Sequence, residues 1–202
     1  MKVNTKRFSE NFSPYISEYQ DKKTMFLEIG VFKGNTSMWI ADNVLKHPES
    51  KLIGVDPWEW SIMPRNRYPD DDIGKKSFAD LLVHIDNILK KYNGRIKYFR
   101  GYSQDVLLNP FFVPKMFDCM YIDGHHTIHS VMRDFVLSWP LLKDGGIMIF
   151  DDYLMRRSTE VREAVDLILK GMDGRRRGMF ARDAKYTLLY KRYQVAIRKI
   201  RD

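Results

Sequence analysis

The segment that most constrains this chain runs over residues 117–153, FDCMYIDGHHTIHSVMRDFVLSWPLLKDGGIMIFDDY. It reads as a strand, an acidic loop, a helix, a turn, a second strand and an acidic pair. Residues 117–122 are a short, mostly apolar run, as in a strand buried on both faces. Asp123 stops that run and is followed by Gly124, His125 and His126. Ile128, Val131, Phe135 and Trp139 then fall near one stripe of a helix. Pro140 and the Gly145-Gly146 pair are expected to break it. Residues 147–150 form the second apolar run, stopped by Asp151 and Asp152. Two strands joined through a helix run parallel, and ligand crevices open at the carboxyl ends of such strands. Asp123, Asp151 and Asp152 are therefore expected to meet at one end of the two strands, with two histidines beside them. Three carboxylates so close repel one another unless a cation or hydrogen bonds compensate.

The preceding residues repeat the alternation of strand and helix. Residues 25–29, MFLEI, read as the first buried strand and lead into Glu28-Ile29-Gly30-Val31-Phe32-Lys33-Gly34-Asn35-Thr36. Gly30 and Gly34 allow a tight turn and close approach of a ligand to the backbone. Asn35 or Thr36 is expected to cap a helix running to about Leu45, whose free amides favour a carboxylate or phosphate. Residues 51–55 form a second strand ending at Asp56, placed to accept hydrogen bonds from ribose hydroxyls. Residues 57–75 are aromatic and charged, a length of connection that suits a lid or an acceptor loop. A helix over 77–92, closed by Asn93-Gly94, precedes a third strand at 96–100 and the sequence Gly101-Tyr102-Ser103-Gln104-Asp105. Ser158 is expected to cap a later helix ended by Gly171. Two short strands are expected within 180–191. The whole gives a doubly wound, Rossmann-like α/β fold with a mostly parallel sheet and a C-terminal antiparallel hairpin. Residues 1–24 read as a helical cover on this single domain, 1–202.

The length of 202 residues suits one domain with a real core. The apolar share of 44% and charged share of 30% exclude a disordered chain. One cysteine, Cys119, excludes an internal disulfide framework and favours a reducing compartment. No apolar run reaches the ~20 residues of a membrane span, and residues 1–12 lack the apolar core of a signal peptide. A cytoplasmic protein is expected. The net charge of +8 lies in residues 170–202, which hold 11 Lys or Arg against 3 Asp or Glu. Residues 1–169 are neutral, with 23 of each sign. The basic tail, with its arginine run 175–177, is thus the only part suited to an anionic partner, and nucleic acid is the disfavoured partner for the domain.

Taken together, Glu28-x-Gly30-x-x-x-Gly34, Asp56, Gly101-x-Ser103-Gln104 and Asp123 resemble the class I S-adenosylmethionine-dependent methyltransferases. The Gly-x-Ser-Gln-Asp step and the acids ending strands 4 and 5 are similar to the small O-methyltransferases typified by catechol O-methyltransferase. That enzyme carries Asp-Asn where this chain carries Asp151-Asp152. Ile-Asp-Gly-x-His, then Gly-Gly, then Asp-Asp-Tyr also resembles the metal-dependent sugar O-methyltransferases of antibiotic pathways. The resemblance covers residues 25–153.

The resemblance implies a role for each matched residue. Glu28, Gly30 and Gly34 would line the methionine end of S-adenosylmethionine, with Thr36 capping its carboxylate. Asp56 would hold the ribose. Ser103 and Gln104 would meet the adenine, with Pro57 or Trp58 flanking its face. Asp123, Asp151 and Asp152 would bind Mg²⁺ or Mn²⁺, and Asp123 also touches the methyl donor in metal-free relatives. His126, or His125 beside it, would be the general base. The glycine turn alone would also suit a nicotinamide, but Gly-x-Gly-x-x-Gly is absent. The function expected is methyl transfer to the hydroxyl of a small molecule, foremost a sugar or glycan, with metal assistance. The alternatives are an RNA or nucleotide methyltransferase using the basic tail, and a non-catalytic cofactor-binding module.

Overall fold

A computed structural model describes residues 15–62, 72–156, 158–174 and 183–200. Seven strands form one sheet: β1 (Met25–Ile29), β2 (Lys51–Asp56), β3 (Ile96–Arg100), β4 (Phe117–Ile122), β5 (Leu142–Phe150), β6 (Tyr186–Lys191) and β7 (Val195–Lys199). Their order is β3-β2-β1-β4-β5-β7-β6. The first five are parallel, and β7 enters antiparallel to both β5 and β6. This is the doubly wound α/β fold with a C-terminal antiparallel hairpin that the sequence predicts.

Alternation along the strands divides the apolar residues between two cores. Phe26, Leu52, Cys119, Tyr121, Ile147 and Ile149 face one side. There they meet Trp39 and Ile40 of α1 (Asn35–Asn43), and Leu81, Ile85 and Ile88 of α2 (Asp72–Lys91). Leu27, Ile53, Met120, Ile122, Met148 and Phe150 face the other side. There they meet Val131 of α4 (Ile128–Ser138), and Val161, Ala164, Val165 and Ile168 of α5 (Glu160–Met172). The short α3 (Ser103–Val106) follows β3. Strand order reverses at the β1–β4 pair, and in doubly wound sheets ligands bind beyond the carboxyl ends at such a point. Backbone bonds carry the ladder past the strand ends: Gly30 N to Val55 O at 2.9 Å, Asp123 N to Ile29 O at 2.8 Å, and Asp151 N to Ile122 O at 3.0 Å. Four strand ends are thus held in register where the candidate residues lie.

Several expectations are corrected. Helix α1 stops at Asn43, and its N-cap is Gly34 at φ +71°, with no side-chain cap from Asn35 or Thr36. Both residues are already inside the first turn. Helix α2 starts at Asp72, so the end of the expected 57–75 loop is helical. A 3₁₀ turn, Trp60–Ile62, occupies its start, and 63–71 lie outside the described residues. The Gly145-Gly146 pair lies within β5, where the register against β4 shifts, instead of breaking the preceding helix. A Cβ at Gly146 would stand 2.7 Å from Leu142 Cδ1 and 3.0 Å from Asp118 O, so glycine permits the close β4–β5 approach. Gly171 lies inside α5, which ends at Met172. The hairpin partner of β6 is β7, after it in sequence, not a strand before it.

Of the expected N-terminal cover, residues 15–24 are described. Tyr15 and Ile16 are helical and pass into a 3₁₀ turn, Ser17–Tyr19, with Tyr15, Ile16 and Tyr19 buried against the sheet. Cys119 is fully buried, and desolvation pushes its thiol well above the ordinary range, which suits a packing role. Among the described residues no helix is long and apolar enough to cross a membrane.

Candidate active site

The region beyond the carboxyl ends of β4 and β5 is acidic. Asp123 follows β4, and its main chain crosses directly over Gly30. A Cβ at Gly30 would lie 2.0 Å from Asp123 O, and its φ of +89° suits glycine alone. The glycine expected to admit a ligand therefore first admits the neighbouring strand end. Asp152 adopts φ +56°, in the left-handed region, so the chain turns at the second acid after β5. That turn brings Asp152 back toward Asp123. His126 Nε2 lies 3.4 Å from Asp123 Oδ1 and 3.5 Å from Asp152 Oδ2. One donor atom from each of Asp123, His126 and Asp152 falls within 4.8 Å of the others. Desolvation pushes the Asp123 carboxyl up to about 7; the hydrogen bond from His126 opposes this, and the charges of Asp151 and Asp152 add to it. The bond to Asp123 in turn holds His126 above its usual range.

Asp151 is not in this group. Its Oδ2 accepts from Tyr121 Oη, and its Oδ1 accepts from Gln194 Nε2 at 3.0 Å. Burial raises its pKa, with the Tyr121 bond opposing. His125 also stands apart: it is exposed, with Nδ1 at 3.3 Å from Thr127 Oγ1 and 3.4 Å from Ser130 Oγ. Of the five candidate acids and histidines here, the fold joins Asp123, His126 and Asp152.

The remaining candidates lie on or just beyond β1, β2 and β3. Glu28 is fully buried, and one carboxyl oxygen accepts from Ser37 Oγ. Asp56 is 7% exposed and ties two loops together, accepting from Phe32 N and Trp58 N at 2.8 Å each. Each oxygen retains a lone pair for a further donor. Gly34 opens α1, with Thr36 in its first turn, where backbone amides lack helical partners. Pro57 O accepts from Arg100 Nε at 3.3 Å. Trp58 is 3% exposed, donates to Phe32 O at 2.8 Å and packs edge-on to Tyr98, so it is a wall of the Asp56 loop and not an open stacking face. Ser103 Oγ donates to the buried Asp134. Two buried oxygens, Glu28 Oε1 and Gln104 Oε1, have no hydrogen-bond partner. Orphaned buried acceptors cost about 1–3 kcal/mol each, and both lie on residues expected to meet a ligand's donors. Two orphaned acceptors suit a ligand that brings a donor to each, as the amino groups at the two ends of S-adenosylmethionine would.

Three participants escaped the sequence reading. Asp134 lies under Gly124, where a Cβ would stand 2.9 Å from its Oδ2. Its spacing, one turn of α4 beyond Ser130, gives no signal that distinguishes it from a solvated helix acid. Tyr193 and Gln194 reach the acids from the β6–β7 turn. Only the antiparallel register could have revealed them.

Comparison with known proteins agrees with this geometry. The sequence matches the methyltransferase-domain family over residues 27–153. It is 29% identical over 148 residues to an uncharacterized protein of Acanthamoeba polyphaga mimivirus, covering 71% of this chain. The match spans 58% of that relative's length. A Staphylococcus aureus structure assigned as a caffeoyl-CoA O-methyltransferase superposes with TM-score 0.60 at 15% identity, over 99% of this chain and 84% of the other. A Clostridium thermocellum structure assigned as an rRNA methylase gives the same TM-score and identity, over 100% and 98%. MycE methyltransferase of the mycinamycin biosynthetic pathway, bound to Mg and S-adenosylhomocysteine, gives 0.56 at 17% identity, over 96% and 50%. At these identities the structures speak for the fold, and the sequence match speaks for the family. The chain belongs to the methyltransferase-domain family and has the class I S-adenosylmethionine-dependent methyltransferase fold.

Proposed function

We propose that this protein transfers a methyl group from S-adenosylmethionine to a hydroxyl of a small molecule, foremost a sugar, with a divalent ion at the acidic group. The observation that carries the reading is the convergence of Asp123, His126 and Asp152 within 4.8 Å beyond the carboxyl ends of β4 and β5. Two carboxylates suit Mg²⁺ or Mn²⁺, and the imidazole beside them is placed as a base instead of a ligand. The Mg in MycE supports the same reading. A divalent ion there would lower the pKa of an acceptor hydroxyl beside it.

Asp123 and Asp152 hold the ion in this reading. Their charge is what makes His126 basic, and an ion that balances it leaves His126 neutral and able to accept the hydroxyl proton. His125, outside the group, is the weaker base. Glu28, Gly30, Gly34 and Thr36 take the methionine end of the donor, Asp56 the ribose, and Ser103 and Gln104 the adenine. The acceptor oxygen would attack the methyl carbon in line as the S–CH₃ bond breaks and S-adenosylhomocysteine leaves as a neutral thioether, so positioning and electrostatics supply most of the rate.

A screen with labelled S-adenosylmethionine tests this, run over sugars, phenols, a caffeoyl thioester and RNA, with Mg²⁺, with Mn²⁺ and in chelator. Transfer to a small hydroxyl that chelation abolishes and either ion restores is expected. Transfer to RNA alone, or full transfer in chelator, overturns the proposal.

A further inference from the structure

We infer that the β6–β7 turn belongs to the site, and that Tyr193 is a positioning residue that selects Asp152, not Asp151, for the acidic group. This rests on the reading that the group holds a divalent ion.

The argument begins with register. Strand β5 pairs with β7 antiparallel, and Phe150 stands opposite Val195. Continuing by one and two residues sets Gln194 against Asp151 and Tyr193 against Asp152. The side chains follow: Gln194 Nε2 donates to Asp151 Oδ1 at 3.0 Å, and Tyr193 Oη donates to Asp152 Oδ1. A backbone bond from Tyr153 N to Tyr193 O at 2.9 Å fixes the turn against the acids.

The two contacts have opposite consequences. Gln194 is 1% exposed, and its Oε1 accepts from Tyr15 Oη at 2.8 Å. Asp151 also accepts from Tyr121. Tyr15, Gln194, Asp151 and Tyr121 thus form a buried chain in which both Asp151 oxygens are occupied. Asp152 is held by one oxygen only, leaving Oδ2 facing His126 at 3.5 Å. Its left-handed backbone costs about 1–2 kcal/mol unless the surroundings fix it. The Tyr193 bond is one such fixture. Two chemically identical neighbours are sorted into a structural acid and a ligating acid by what the hairpin presents to each.

Partners that orient ligating groups change metal affinity by about 10–100-fold when removed. Mn²⁺ binding to the full chain, followed by electron paramagnetic resonance, tests the assignment without turnover. Tyr193→Phe, which deletes one oxygen, should weaken Mn²⁺ binding about tenfold or more, with S-adenosylhomocysteine affinity retained as proof of fold. Tyr15→Phe, which touches only the Asp151 chain, should bind Mn²⁺ as the native protein does. Wild-type affinity in Tyr193→Phe, or equal weakening in both variants, overturns the role given to Tyr193 while leaving the metal reading in place. A native protein that binds no Mn²⁺ overturns both.

Discussion

Glu28 has no exposed surface, and only one of its carboxyl oxygens has a partner. Burial raises its pKa well above the ordinary 4.5, with the Ser37 bond opposing and the charges of Asp123 and Asp56 adding. The sign of the resulting pH dependence follows. Above 4.5 the unfolded chain has released this proton and the folded chain still holds it. Folding then takes up a proton, and stability falls as pH rises until the folded value is reached, at up to about 1.4 kcal/mol per pH unit. Glu28→Gln, which cannot titrate, should flatten that slope and stabilise the ligand-free protein near neutrality. Urea midpoints of both proteins at several pH values measure it, and parallel profiles would contradict a neutral Glu28. Residue identities at this scale were legible because chemistry confined to strand ends is marked in sequence by a polar residue stopping an apolar run. Side-chain direction was not. Read as a strand, Asp151 and Asp152 point to opposite faces, and nothing local reveals that Asp152 turns to φ +56°. The same limit hid the burial of Trp58, which is 3% exposed and packs edge-on to Tyr98.

Elements were legible wherever an apolar period was long and its ends were marked. Strands β1 to β4 and helices α4 and α5 satisfy that, and their apolar stripes are the buried ones. Glycines misled at element ends, since a glycine that allows close approach looks like one that ends a helix. The C-terminal hairpin was displaced because Val195–Lys199 carries two basic residues and resembles a solvated tail. Lys199 explains the exception. It is 2% exposed, and its Nζ donates to Trp139 O and Leu142 O at 3.2 Å each, 5.0 Å from the Trp139 ring centroid. This cation binds the carbonyls where the 3₁₀ turn Trp139–Leu141 passes into β5, so β7 is fastened to the start of β5 as well as along it. Lys199→Met keeps most of the side-chain volume and leaves both carbonyls without their charged donor. A loss of about 2–4 kcal/mol is expected, read as a lower guanidinium midpoint at unchanged m-value. A loss below about 0.5 kcal/mol, the usual scatter for a surface change, would mean the ammonium contributes nothing there.

At the scale of the whole molecule, the charge asymmetry is the property that sequence gives most directly and interprets least. The surplus of +8 lies after residue 169, yet three cations in the described part of that segment are already engaged. Lys191 pairs with Asp166 at 2.9 Å, Arg198 pairs with Glu18 at 2.8 Å and donates to Gly145 O at 3.0 Å, and Lys199 is interior. Their work is to hold the hairpin onto α5, the N-terminal segment and β5. Arg175, Arg176 and Arg177 lie outside the described residues, so the charge run itself is the basis for their expected behaviour. Each phosphate contact releases counterions, and log affinity falls with log salt by about 0.9 per contact on a duplex and about 0.7 on a single strand. Replacing all three arginines with alanine should therefore weaken RNA binding and make its salt slope shallower by up to about 2. Methyl transfer to a small neutral acceptor should change less than about twofold, because a neutral acceptor offers the arginines no charge to pair with. Filter binding of RNA across a salt series, beside turnover on the best acceptor, measures both. If the triple variant stays folded and loses transfer to the neutral acceptor, these arginines belong to the active site. If RNA affinity and its salt slope are unchanged, the surplus charge of the tail has no part in binding polyanions.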